Sequence, residues 1–277
     1  MSQSPAQNHP PLIDIGVNLT SEQFAKDSEQ ALERALEHGI QHCVLTGTDL
    51  GGSEAVAKLC EEYAEQFPGL LSCTAGVHPH HASEFDPNTI KALKDLASLP
   101  QVKAIGETGL DFNRNFSTPA EQQRAFEAQL ELAIELQMPV FMHERDAHQR
   151  QFEILNAYRD QLVDGVIHCF TGDKKALFNY LDLDLHIGIT GWVCDERRGL
   201  ELQNIVGNIP LDRLMIETDA PYLLPRNMTP KPKNRRNEPA YLPWLLPVLS
   251  EHMGVSQEEI ACATSETARR FFRLLSP

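Results

Sequence analysis

Four short apolar runs in this chain end in the same kind of residue. Val102 to Ile105 leads to Glu107, and Val140-Phe141-Met142 leads to His143. Val166-Ile167 leads to His168, and Leu214-Met215-Ile216 runs through Glu217 to Asp219. Apolar runs of this length between turn residues read as buried strands. Each delivers a carboxylate or an imidazole at its carboxyl end, where a loop follows; after Glu107 that loop is expected to begin at once, as a turn at Gly109. In a parallel α/β barrel those strand ends share one face, and that face carries the active site. The four side chains are therefore expected to converge although they are far apart in sequence.

The rest of the chain fits a barrel. Strands are expected at residues 12–18, 40–46, 70–77, 102–107, 140–143, 166–169, 185–189 and 214–218. Helices are expected between them, at 24–38, from a cap at Ser53 to Phe67, at 88–97, from 118 to just before Pro139, at 148–162, 174–181 and 200–206. Two more, at 241–252 and 256–274, close the chain. Thr118-Pro119-Ala120-Glu121 is a capping box with proline at the first helical position. Strand and helix alternate eight times, which predicts a TIM (β/α)8 barrel. The runner-up is an open doubly wound sheet, disfavoured because no GxGxxG or Walker loop follows the first strand. Residues 1–11 read as a disordered lead, without the basic start and apolar core of a signal peptide, and 12–277 as one domain.

Composition narrows the function. The net charge of −15 argues against a general electrostatic hold on nucleic acid. No apolar run approaches a membrane span. The six cysteines form no CxxC pair and read as buried reduced thiols in a cytoplasmic protein.

Glu107, His143 and His168 are of the types that bind a divalent cation while leaving coordination positions open. Each alone also reads as a strand-end residue with satisfied hydrogen bonds; three in one context point to metal. Asp219 is expected at the metal, orienting or deprotonating water, although an Asp before Pro221 is also a common turn residue. Glu217 reads as a barrel residue behind the site. His78 and His80, around Pro79, suit an anionic substrate, with His78 a further metal candidate. His148 and His186 read as structural. Arg114, Arg145, Arg197, Arg198, Arg226 and the run through Lys231, Lys233, Arg235 and Arg236 all follow expected strands. They would form a basic rim that draws a polyanion to the site. Phe112, Phe116, Phe170, Trp192 and Tyr222 share those loops and suit stacking on unpaired bases.

Several of these stretches carry a family resemblance. GVHPH (76–80), IGETGLD (105–111), MPVFMHERD (138–146), HCFTG (168–172) and IETDAPYL (216–223), in combination, resemble the TatD family of metal-dependent nucleases over roughly residues 12–275. The resemblance implies a TIM barrel that removes nucleotides from the 3′ end of single-stranded DNA or RNA, in the cytoplasm, as a monomer, with a link to repair of oxidative DNA damage. It implies Glu107, His143, His168 and Asp219 as metal ligands, with Glu107, Asp219 and His78 catalytic. From their places after expected strands, His80, Arg114, Arg145, Tyr222, Arg235 and Arg236 are expected on the substrate. One departure stands out. Many members carry His-x-His on the first strand, where this chain has Gly16 and Asn18. That favours a weaker, oxygen-rich site with magnesium over a tight two-zinc site, manganese and zinc being alternatives. Two other readings remain: an amidohydrolase or aminoacyl-tRNA deacylase on the same barrel, and a catalytically weak barrel that binds nucleic acid.

Overall fold

The computed structural model describes residues 9–274; most of the expected disordered lead lies outside them. Eight strands form one sheet in sequence order: β1 (Leu12–Val17), β2 (Ile40–Leu45), β3 (Leu71–Ala75), β4 (Val102–Asp111), β5 (Val140–Arg145), β6 (Gly165–Ile167), β7 (His186–Ile189) and β8 (Leu214–Ile216). Every neighbouring pair is parallel. The sheet closes beyond β8, where Val17 bridges Ala220 and Asn18 N donates to the Ala220 carbonyl at 2.7 Å. The TIM-barrel expectation holds.

The helices that return the chain between strands are α1 (Ser28–Glu37), α2 (Leu50–Glu62), α3 (Pro87–Ala97), α4 (Pro119–Leu136), α5 (His148–Tyr158), α6 (Lys174–Asp182) and α7 (Leu200–Ile205). α8 (Leu245–Met253) and α9 (Gln257–Phe271) finish the fold. Local chemistry sets their starts. Thr118 caps α4 in the expected box, its hydroxyl accepting from Glu121 N while the Glu121 carboxylate accepts from Thr118 N. Among the described residues no helix is long and apolar enough to cross a membrane.

Strand alternation sorts the core into two layers. Ile13, Ile15, Val44, Ala104, Phe141, Val166 and Met215 point into the barrel. Phe271 and Phe272, where α9 ends, pack against that group. Residues of opposite parity, such as Leu12, Cys43, Ile105, Met142 and Ile187, face the helices. Each such side chain, fully buried, contributes about 1.5–3 kcal/mol.

Three local expectations need correction. The first helix does not run unbroken from residue 24. A 3-10 turn (Glu22–Phe24) precedes α1, and the described helix ends at Glu37. The cap of α2 is Asp49, which accepts from Gly52 N at 2.8 Å; Ser53 instead bonds the backbone of Gly76. Finally, β4 does not stop at Glu107 but runs on to Asp111. Gly109 is no turn. Its φ is 136°, and a Cβ there would lie 2.0 Å from the His143 carbonyl oxygen, so glycine is what lets β4 and β5 approach.

Candidate metal centre and nucleic-acid cleft

A cavity of about 660 Å³ opens at the carboxyl ends of the strands. Glu107, His143, His168, Asp219, His78, His80, Arg114, Arg145 and Tyr222 all line it. A second cavity, about 450 Å³, opens beside the strand starts at Gln41, Leu71 and Lys103 and has no carboxylate in its lining. Among the described residues, the group placed to hold a metal ion, His78, Glu107 and His143, lines the first.

At its centre is one oxygen of Glu107. Oε1 lies 2.8 Å from His168 Nε2, 3.1 Å from His143 Nδ1 and 3.4 Å from His78 Nε2. Three imidazole nitrogens converge on an oxygen that has two lone pairs. His78, Glu107 and His143 also offer ligand atoms that all lie within 4.8 Å of one another. This donor set fits a divalent cation, but it is imidazole nitrogens round one carboxylate and not the oxygen-rich set expected. His78 belongs to that compact trio, whereas the resemblance implied His168 and Asp219 alongside Glu107 and His143.

The electrostatics are consistent with such a cation. Burial opposes charge on Glu107, yet the imidazoles of His168 and His78 and the hydrogen bonds from His143 and His168 hold its carboxyl well below the usual range. Burial pushes His78 down to about 3, with Glu107 opposing and the His143 and His80 rings adding. Its contact with Glu107 is therefore between a neutral imidazole and a carboxylate, and it is free to act as a ligand. Burial pushes Asp219 up to about 7; His168 and the bond from Asn18 oppose, while Glu217 and Glu107 add.

The residues behind the ligands hold them in place. Glu217, fully buried, sits 3.3 Å from His168 Nδ1 and accepts from Cys169 N at 2.5 Å. It is the barrel residue behind the site that was expected. Phe141 stacks beneath His168 at 4.6 Å between ring centroids. Asn18, set aside as a non-ligand, donates from Nδ2 to Asp219 Oδ1 at 3.0 Å. Gly16 leaves room for Glu217: a Cβ there would lie 2.3 Å from Glu217 Oε2. Gly16→Ala is expected to cost about 1–3 kcal/mol through overpacking against a buried carboxylate, read as a lower urea midpoint with unchanged slope. An unchanged midpoint would show that Glu217 moves freely.

Asp111 is the residue that sequence reasoning missed. It is buried, and its Oδ2 lies 2.7 Å from His80 Nε2 and 3.4 Å from His143 Nε2. Its Oδ1 accepts the backbone N–H groups of Asn113 and Arg114. The signal was present, because residues 107, 109 and 111 share one side of an extended strand. Reading Gly109 as a turn concealed it.

The rim differs from expectation. Arg114 and Arg145 are exposed, line the cavity and have no ion-pair partner among the described residues. Tyr222 is exposed at the same mouth, and Phe116 packs edge-on against His80. Arg235 is exposed but does not line the cavity. Arg236, expected on the substrate, is buried. Its guanidinium bonds both Asp27 oxygens at 2.7 Å and the Gln23 carbonyl at 2.6 Å, and lies over the Phe24 ring. Arg197, Arg198 and Arg226 converge on Asp195, and Arg226 also pairs with Glu196. Two carboxylates thus offset most of the charge of these three arginines.

A parallel β/α barrel with a carboxylate–imidazole cluster at its strand ends is the arrangement of a barrel metallohydrolase. Within that class the chain belongs to the TatD family: the family model described as TatD related DNase matches residues 13–273. A protein of Salmonella typhimurium named 3′-5′ ssDNA/RNA exonuclease TatD is 52% identical over 264 residues, 95% of this chain and all of that protein. A TatD family hydrolase from Entamoeba histolytica superposes with a TM-score of 0.86 at 25% identity, covering 96% of this chain and 99% of that one. A TatD homolog from Escherichia coli gives 0.84, also at 25% identity, over 95% and 98%.

Proposed function

We propose that this protein is a magnesium-dependent 3′–5′ exonuclease acting on single-stranded DNA and RNA, as a monomer in the cytoplasm. The observation that carries the reading is the convergence of three imidazoles on Glu107 Oε1 in a cleft bordered by Arg114 and Arg145, which have no ion-pair partner among the described residues. Family membership and the name of the Salmonella relative support the nuclease chemistry.

Glu107, His143, His168 and His78 would hold the cation, with Asp219 beside them. When bound, it would supply charge neutralisation at the phosphoryl oxygens and a more acidic water. Asp219, oriented by Asn18, accepts the proton of the attacking water. An oxygen–phosphorus bond forms, the bond from phosphorus to the 3′ oxygen breaks, and that oxygen takes a proton from solvent, to which Asp219 returns the proton it accepted. Arg114 and Arg145 grip phosphate oxygens, and His80, held by Asp111, faces the same space. Asp14, buried beneath this face and pushed up to about 8 by that burial, accepts from Thr218 N at 2.9 Å and from the Thr218 hydroxyl at 2.6 Å, which ties β1 to the end of β8 under Asp219.

The test is one degradation ladder. A 5′-labelled single strand and its duplex are incubated with magnesium or with chelator. Shortening from the 3′ end, on the single strand and only with magnesium, is expected; a random ladder, or cleavage that survives chelation, would reject the proposal. The rim gives a separate prediction. Arg145→Ala should raise KM about tenfold and flatten the log–log salt dependence by about 0.7 per lost phosphate contact, measured as KM between 50 and 200 mM salt. An unchanged slope would remove Arg145 from the phosphate path.

A further inference from the structure

Resting on the nuclease reading, we propose that Trp192 is the stacking platform for an unpaired base flanking the scissile phosphate, and that Arg198 and Asp195 hold it ready. Trp192 lines the same cavity as Glu107 and His143. It sits in a 3-10 turn (Gly191–Cys194) just after β7, where Thr190 Oγ1 accepts its N–H at 3.2 Å. A Cβ at Gly191 would lie 2.2 Å from the Leu223 carbonyl, so this turn is pressed against the loop that carries Tyr222.

The ring is braced. The Arg198 guanidinium carbon lies 4.4 Å from the Trp192 ring centroid. Arg198 is not among the residues that line the cavity, so the guanidinium and the cavity meet different parts of the Trp192 side chain. Arg198 Nε donates to Asp195 Oδ2 at 2.9 Å. Asp195 is buried, and its Oδ1 accepts the N–H groups of Arg197 and Arg198. A buried carboxylate thus fixes an arginine, which fixes an indole. The rotamer freedom that stacking would otherwise remove is already lost in the free protein. Any base offers a π face, so the platform tolerates sequence. A base inside a duplex cannot reach it, which would favour single strands.

The test compares 5′-labelled oligonucleotides that differ only in an abasic nucleotide at the terminal or the penultimate position. On fully based strands Trp192→Ala should raise KM roughly 10- to 100-fold with kcat nearly unchanged, and Trp192→Phe should recover part of the loss. On one of the two abasic strands, wild type and Trp192→Ala should have equal KM. Arg198→Ala should show the same pattern with a smaller shift. Equal losses on based and abasic strands, or no loss at all, would overturn the platform. Wild type cleaving no strand would instead remove the nuclease reading. Indole fluorescence in a Trp244→Phe background would then decide stacking alone: quenching by single strand in chelator supports it, and no quenching overturns it.

Discussion

Glu107→Ala is expected to abolish cleavage, by roughly 10³-fold or more, while leaving the fold's circular dichroism intact. Glu107 is the shared partner of His78, His143 and His168, so its loss leaves three imidazoles without the anion that gathers them. It also removes the negative charge that makes the cluster attractive to a hard dication. The barrel core beneath does not depend on it, because the inward layer is built from Ile13, Ile15, Val44, Ala104, Phe141, Val166 and Met215. Glu107→Gln separates charge from shape: the amide keeps the volume and is expected to be nearly as inactive. Turnover at the wild-type rate in either variant would refute the metal assignment.

Arg236→Ala is expected to act on stability. The guanidinium is buried against Phe24 and matches Asp27, while Glu238 lies 3.9 Å away and is itself bonded by Arg34. Removing it leaves carboxylates partly desolvated without their cation, at a cost of about 3 kcal/mol. For a chain of this size that lowers Tm on the order of 5–10 °C. Because Arg236 does not line the cleft, KM and its salt dependence should stay put. Arg235→Ala, at the exposed neighbouring position, should leave Tm unchanged. If Arg236→Ala raised KM without moving Tm, the residue would belong to the substrate after all.

These two arginines mark where the sequence stops being legible. A basic run between prolines looks like a solvated rim, and nothing local reveals that Arg236 turns inward to a carboxylate 209 positions earlier. Arg197, Arg198 and Arg226 mislead in the same way, since their common partner Asp195 looks like any loop acid until the turn folds. The barrel, by contrast, is written in local patterns. Each strand is a short apolar run, each helix repeats its apolar positions at helical spacing, and caps such as Thr118-Pro119-Ala120-Glu121 mark the starts. The site follows from the barrel, because parallel strands bring their carboxyl ends together. Glu107, His143, His168, Asp219, His78 and His80 could therefore be placed in one cleft before any coordinate was known. Asp111 escaped because glycine has two opposite uses. Gly109 allows close approach between strands here, and a sequence cannot distinguish that from a turn.

The most direct test of the metal centre is an anomalous difference map from crystals soaked in manganese, a stand-in for magnesium with a usable absorption edge. The account predicts a peak about 2.2 Å from a Glu107 oxygen and from imidazole nitrogens of the His78, His143 and His168 group, lost in Glu107→Ala. No peak in a wild-type crystal that diffracts well, or a peak elsewhere on the barrel, would contradict it.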